Sequence, residues 1–458
     1  MDRSQRYRIV VTGHAGLQKE TCLTNLCQYI YNQDPTWKNF AENEEAQKNR
    51  EKELAQWYEA EKNLKPIVQF LTTEWYEQIP KWYYSISTAI ARCNSDNPKY
   101  AFLSLHLTYR WKSDFISPVS WRIPIVGEHG VRKETSIFEL IKNEFKPNCF
   151  ITLIDDIHYV QKRIKRGIYL RLRELLNWRN IETIFTDLMA REIICESSPT
   201  YNALSFPFEH SPVVAIRHPS KMFFDLLFGK SDLPRIYASF PISRTRDNKI
   251  FRDEIDRFRN ILLSKFVVYD PLTIDERPLQ GIYEKNVESE NIKDHYSISM
   301  DDRWPIPADR TLCNEEPKEV SEISWDEIKE ISTSPQKEKS EIDRSIESRD
   351  FRLIDQSDFL VAYRPCYKSA NFNFSGGTRD EIKYAIRRSK PFFIIHDSEE
   401  DGPFTPKTFD IEPINSTFII DEIKSLSKQE NQEKALNILI DRIKEIKSEL
   451  TAERLRNF

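Results

Sequence analysis

The sequence predicts an α/β protein with two parallel-sheet domains, and three observations carry that expectation. Short continuous apolar runs recur at residues 7–12, 100–105, 150–154, 212–216, 266–269, 359–363 and 391–395, and runs apolar on both faces belong inside parallel sheets. Stretches with helical spacing separate them. Glycines follow two of the runs, at Gly13 and Gly16 and at Gly376 and Gly377, on the side where open α/β sheets bind ligands.

The first run leads at once into Gly13-His14-Ala15-Gly16-Leu17-Gln18-Lys19-Glu20-Thr21, and then into apolar residues Leu23, Leu26 and Ile30 at helical spacing. This order resembles the phosphate loop of adenylate-kinase-type domains, with Gly13, Gly16, Lys19 and Thr21 in register. The resemblance implies backbone N–H groups and a lysine aimed at nucleotide phosphates. Gln18 replaces the glycine before the lysine, and Glu20 stands where Gly, Ser or Thr is usual. The expectation is therefore binding rather than hydrolysis.

Residues 150–154 end in Asp155 and Asp156, which resembles a Walker B segment and implies Mg²⁺ accompanying a nucleoside triphosphate. Lys162, Arg163, Lys165, Arg166, Arg171 and Arg173 follow. Such a segment either closes over phosphates or forms the solvated face of a helix. Residues 38–64 read as a charged helix with Trp57 and Tyr58 on one side, and 66–93 as a more apolar helical region. Its aromatics Trp75, Tyr76, Trp82, Tyr83 and Tyr84 form either a core or a base-stacking surface. His106 reads as a core residue.

In the second half, residues 235–244 read as a strand breaking into a polar loop. Residues 349–358 precede the 359–363 run, and Ser375-Gly376-Gly377-Thr378-Arg379-Asp380-Glu381 follows it. The two glycines suit a tight turn, Thr378 suits a helix cap, and Glu381 lands near the start of that helix. A helix macrodipole alone would also favour a glutamate there.

Tyr237, the Asp350 and Asp358 pair eight residues apart, and Glu-Ile-Lys-Tyr-Ala from Glu381 together resemble the nucleoside 2-deoxyribosyltransferases and the 2'-deoxynucleoside 5'-phosphate N-glycosidases. The resemblance covers residues 235–400, less an insertion, and implies a flavodoxin- or Rossmann-like domain. It makes Glu381 the nucleophile at the anomeric carbon, with Asp350 contacting or protonating the base, Tyr237 in the site, and Asp358 either completing the site or only capping its strand. Cleaving an N-glycosidic bond through an oxocarbenium-like state calls for such a carboxylate pair. Ser375, where the transferases of free nucleosides carry aspartate, resembles the monophosphate glycosidases and implies a 5'-phosphate held with Gly376 and Gly377. Arg244 and Arg246 would add charge-assisted contacts or stay solvated.

The expected borders are 1–230 for the phosphate-loop domain with a helical insertion, 231–404 for the glycosidase-like domain with a polar insertion at 276–348, and 405–458 for C-terminal helices. Within the insertion, Trp304 beside Arg303 would stack on a base or anchor the segment. The stripe Ala435, Ile438, Leu439, Ile443 and Ile446 must bury itself on a domain or on another subunit. With a net charge of −5, nothing but the basic segment after Asp156 suggests a general nucleic-acid binder, and no run reaches the ~20 apolar residues of a membrane span. Seven cysteines without metal spacing and without a secretory leader point to a cytoplasmic protein with reduced thiols. No metal site is expected from the histidines or cysteines.

The functional expectation is a nucleotide N-glycosidase or N-glycosyl transferase, with NAD among the candidate substrates, fused to a nucleotide-binding regulatory domain, an architecture that suits a defence or toxin effector. Two alternatives stand beside it, a non-catalytic nucleotide sensor and a diverged nucleotide kinase.

Overall fold

The computed structural model describes residues 6–33, 44–60, 74–111, 114–117, 119, 121–126, 132–164, 169–195, 210–229, 233–246, 248–289, 292–298, 304, 321–333, 339–365, 375–397 and 418–456. The chain divides into two compact units, Met1–Phe224 with Thr273–Ser345, and Asp225–Leu272 with Ile346–Phe458. Each contains a five-stranded sheet whose described strand pairs are all parallel.

In the first unit the sheet elements are β1 (Tyr7–Thr12), α1 (Lys19–Gln33), β2 (Ala55–Glu59), α2 (Trp75–Asp96), β3 (Tyr100–Ser104), β4 (Cys149–Ile154), α3 (Ile157–Ile164), α4 (Leu172–Ala190) and β5 (Val213–Ala215). The strands lie in the order β2-β3-β1-β4-β5. Residues 38–64 depart from the single helix expected there. A helix at Glu44–Leu54 gives way to β2, because Ala55 and Tyr58 are buried against the sheet. On α2, Ile79, Trp82, Tyr83, Ile86, Ala89, Ile90 and Cys93 form one buried stripe of the core, at the spacing a helix face requires. Trp82 and Tyr83 are therefore core residues, whereas Tyr84 is exposed. Trp75 and Tyr76 have side chains outside the described residues.

The polar insertion falls almost wholly in this first unit rather than in the second. Its average composition is polar, yet Ile323, Ile328 and Ile331 are buried in it, and those few side chains supply the driving force for packing. Trp304 is an anchor, buried, with its backbone N–H donated to Asp275 Oδ2 at 3.0 Å. Arg303 lies outside the described residues.

The second unit contains β6 (Arg235–Ser239), α5 (Lys249–Lys265), β7 (Val267–Tyr269), α6 (Glu341–Asp355, from Ile346 onward in this unit), β8 (Phe359–Tyr363), α7 (Gly376–Arg387), β9 (Phe392–Ile395), β10 (Ile419–Ile420) and α8 (Gln429–Arg456). Its strand order is β7-β6-β8-β9-β10. β8 is buried along its whole length, as a central strand covered on both faces must be. The apolar stripe within residues 405–458 was expected to bury itself on a domain or another subunit, and α8 belongs to this unit. Ala435, Leu439 and Ile443 are buried, and Gln432 Nε2 donates to Glu254 O and Tyr363 Oη at 3.1 and 3.0 Å. Among the described residues no helix is long and apolar enough to cross a membrane.

Candidate functional site

Strand order in the second unit reverses between β6 and β8, and the carboxyl ends of two such strands are where open α/β sheets form their ligand crevice. Tyr237 and Ser239 are two residues apart on β6 and so point to one side of the sheet. Both hydroxyls donate to Glu381 on α7, Tyr237 Oη to Oε1 at 2.9 Å and Ser239 Oγ to Oε2. On α6, Arg349 Nε and Nη2 both donate to Asp350 Oδ1, at 3.0 and 2.9 Å, and both residues are buried.

Burial, and next the Asp350 carboxylate, push Glu381 up from 4.5 to about 8, while the Ser239 and Tyr237 hydrogen bonds and Arg349 oppose the rise. Burial, followed by Asp350 and Glu381, also holds the Tyr237 phenol well above its ordinary range. Two carboxylates thus meet in different settings. One is poised to hold a proton near neutral pH, and the other is tied to a guanidinium. Pairs with unlike environments of this kind perform acid, base and nucleophile chemistry.

Asp358, expected in the same site, is elsewhere. It sits at the start of β8, where Oδ2 accepts the Arg235 N–H at 2.8 Å, Oδ1 faces the Arg235 guanidinium at 3.2 Å, and its own N–H donates to Arg235 O at 2.7 Å. Those bonds pin the amino ends of β6 and β8 together, at the far end of the strands from the crevice. Its role is to set strand register.

The turn before Glu381 also differs in detail from the expectation. Ser375 is the cap of α7, accepting the Thr378 N–H at 3.3 Å and lying 3.0 Å from Thr378 Oγ1. Thr378 is inside the helix. Gly376 and Gly377 form its first turn, without the left-handed backbone of a tight turn. Among the described residues, a Cβ on either would meet nothing within 4 Å. Arg244 lies in the short helix Ile242–Thr245 with its side chain outside the described residues, and Arg246, half-buried, follows that helix.

In the first unit, the loop between β1 and α1 does require its glycines. Gly13 has φ +123°, and a Cβ there would stand 2.6 Å from Leu153 O; Gly16 has φ +83°, and its Cβ would stand 2.9 Å from Ile164 Cγ1. Gln18 takes φ 49°, a left-handed conformation that a glycine adopts at no cost and another residue at roughly 1 kcal/mol. Lys19 Nζ donates to Gly13 O at 2.9 Å and to Leu105 O at 3.0 Å. Thr21 is half-buried in the first turn of α1. His14 is buried between the two glycines with Nδ1 2.9 Å from Ala15 O, and burial draws its pKa down to about 3, so the ring is neutral.

Asp155 and Asp156 are buried at the end of β4. Asp155 Oδ2 is bonded to Arg163 Nη2 at 2.6 Å, and Arg163 Nη1 donates to Gly16 O at 2.8 Å. Asp156 Oδ1 accepts the Asp275 N–H at 2.6 Å. Of the other basic residues, Arg171 faces Glu330 at 3.5 Å, and Arg173 faces Glu330 and Glu341 at 2.9 and 2.7 Å. Lys165 and Arg166 lie outside the described residues. The side chain of Arg163 is bonded to the loop.

Three contributors were missed in the sequence. Ser239 carried a signal, since period-two spacing from Tyr237 places it on the same face. Arg349 adjoins Asp350 but pairs of opposite charge are common on helices. Glu182, in the middle of α4, gave no sign at all. Its buried carboxylate accepts the N–H groups of Gly13, Leu107 and Thr108 at 3.4, 2.8 and 2.8 Å and the Thr108 hydroxyl. It thereby ties the first loop glycine to the segment after β3. No protein-family model matches the chain, and no curated protein matches it.

Proposed function

We propose that the second unit cleaves the base–sugar bond of a nucleotide, with NAD among the candidate substrates, and that the loop of the first unit binds nucleotide phosphates in a regulatory role. One observation carries the first part. Glu381 is held by two hydroxyls, Tyr237 and Ser239, beside Asp350 in the crevice of a parallel sheet. This adds geometry to the resemblance of the same residues to the deoxyribosyltransferase and N-glycosidase families.

In this reading the reactive form is a singly protonated carboxylate pair. At rest the proton sits on Glu381; it passes to Asp350 as substrate binds, the ionised Glu381 attacks C1' of the sugar, the C1'–N bond breaks, and the departing base takes the proton from Asp350. Water then hydrolyses the glycosyl ester at Glu381, or a second base accepts the sugar. Tyr237 and Ser239 hold both carboxylate oxygens in place, so the attacking group is oriented before substrate arrives. Arg349 fixes Asp350. A 5'-phosphate would lie against the first turn of α7, at the positive end of the helix, with Ser375 at its cap.

The support for the first unit is the strand order β2-β3-β1-β4-β5 together with the strained, glycine-dependent loop and Lys19. Incubating the full chain with 2'-deoxynucleoside 5'-monophosphates, free nucleosides and NAD, and separating released base by chromatography, tests the catalytic reading. Base release that disappears in Glu381→Ala supports it. A folded Glu381→Ala protein with undiminished release, or a protein inert on every substrate class, refutes it.

A further inference from the structure

We propose that Arg163 supplies, from within the chain, the positive charge that a divalent cation brings to phosphate loops of this kind, so that residues 13–19 take a nucleoside triphosphate free of metal. The proposal rests on the phosphate-binding reading of that loop and specifies the form of its ligand.

In a magnesium-dependent loop the carboxylate after the neighbouring strand faces a metal-bound water, and the cation keeps several waters of its own. The donor set here does not fit that arrangement. Asp155 is buried, and its Oδ2 is in contact with Arg163 Nη2 at 2.6 Å. The neighbouring Asp156 spends Oδ1 on the Asp275 backbone N–H at 2.6 Å. A hydrated divalent ion at Asp155 would have to displace a guanidinium from a nearly dry carboxylate, or sit beside it against like-charge repulsion.

The guanidinium is already on the loop. Its Nη1 donates to Gly16 O at 2.8 Å, while Nε is buried with no acceptor among the described residues. A planar fork that is always charged can hold a carboxylate with one edge and offer the rest to phosphate oxygens. The helix that carries it is pressed against the loop, since a Cβ at Gly16 would meet Ile164 Cγ1 at 2.9 Å and Val160 O at 3.2 Å. Arg163 is thus fixed relative to the loop before any ligand arrives. A second sign lies inside the loop, where fully buried His14 keeps Nε2 without a hydrogen-bond partner among the described residues. A loop charged in this way is suited to holding a nucleotide. Transfer of its terminal phosphoryl group would lack the ion that bridges the phosphates.

The test is calorimetric titration of the full chain with ATP and with GTP, once in excess EDTA and once in excess MgCl₂. The proposal expects affinities within about threefold of each other in the two buffers, and a loss of at least about tenfold in both for Arg163→Met, with partial recovery in Arg163→Lys. Binding that appears only with MgCl₂ overturns the proposal and leaves the phosphate-loop reading standing. Binding unchanged in a folded Arg163→Met protein overturns it as well. Absence of binding in either buffer refutes the phosphate-loop reading together with the proposal. The comparison of buffers uses the unaltered protein, so it decides the matter even where Arg163→Met fails to fold.

Discussion

Replacing Glu381 by glutamine should make the protein more stable and abolish its proposed activity, and the size of both effects follows from the site. The side chain keeps its shape and loses its charge. Tyr237 can still donate to the amide oxygen, and Ser239, whose hydroxyl rotates, can accept from the amide N–H₂. Burial and Asp350 raise the carboxyl from 4.5 to about 8. At about 1.4 kcal/mol per pH unit the ceiling on the penalty of ionisation in the folded state is about 5 kcal/mol. Glu381 is only partly buried, and solvent screening brings the expected value down to ~2 kcal/mol. Because the folded protein holds this proton more tightly than the unfolded chain, its contribution to stability is complete below pH 4.5. It is lost progressively as pH rises through that value to about 8. Urea unfolding of both proteins should therefore coincide near pH ~4 and diverge by ~2 kcal/mol near pH ~9, with the glutamine variant the more stable. In the same variant, base release should fall by ~10³-fold or more. A stability difference independent of pH would refute the account of the buried carboxylate, and an active variant would refute the nucleophile.

Three other substitutions separate the roles inferred here. Asp358→Ala should lower stability by ~1–2 kcal/mol through loss of its bonds to Arg235, while base release stays within about threefold, since the residue pins strand ends away from the crevice; a selective loss of activity at full stability would return Asp358 to the site. Ser375→Asp should fold normally, because aspartate is as good a cap as serine, yet lose any preference for monophosphates over nucleosides, measured as the ratio of kcat/KM values. An unchanged ratio would remove Ser375 from phosphate recognition. Gln18→Gly should raise the melting temperature, by an amount corresponding to roughly 1 kcal/mol, since φ 49° strains a residue with a side chain; no change in Tm would show that the surroundings of Gln18 compensate fully.

How much of this was legible in the chain depends on how local each feature is. Runs such as Phe359-Leu360-Val361-Ala362-Tyr363 announce buried parallel strands through their own composition, and both sheets are found where such runs occur. The β2 strand escaped because Ala55-Gln56-Trp57-Tyr58-Glu59 continues a charged helical stretch and becomes a strand only by pairing with β3. The insertion read only as polar because composition averages over it, while a handful of buried isoleucines and Trp304 decide where it packs.

At the candidate sites, sequence alone singled out Glu381, Asp350, Tyr237, Lys19 and the loop glycines as candidates, each embedded in a short local pattern of strand, turn and helix. It left Asp358 open between the site and a cap on its strand, since spacing alone does not say which end of a strand a carboxylate occupies. Only the tertiary structure placed Asp358 at the amino ends and Asp350 beside Glu381. The same holds for Ser239 and Glu381, 142 residues apart, and for Glu182 and Gly13, 169 apart. Local patterns arise from the geometry of one helix or one strand, whereas a buried carboxylate finds its donors among whatever the packed sheet brings near it. The partners that hold Glu381, Glu182 and Asp155 out of water are therefore written in the fold and not in any neighbouring stretch of sequence.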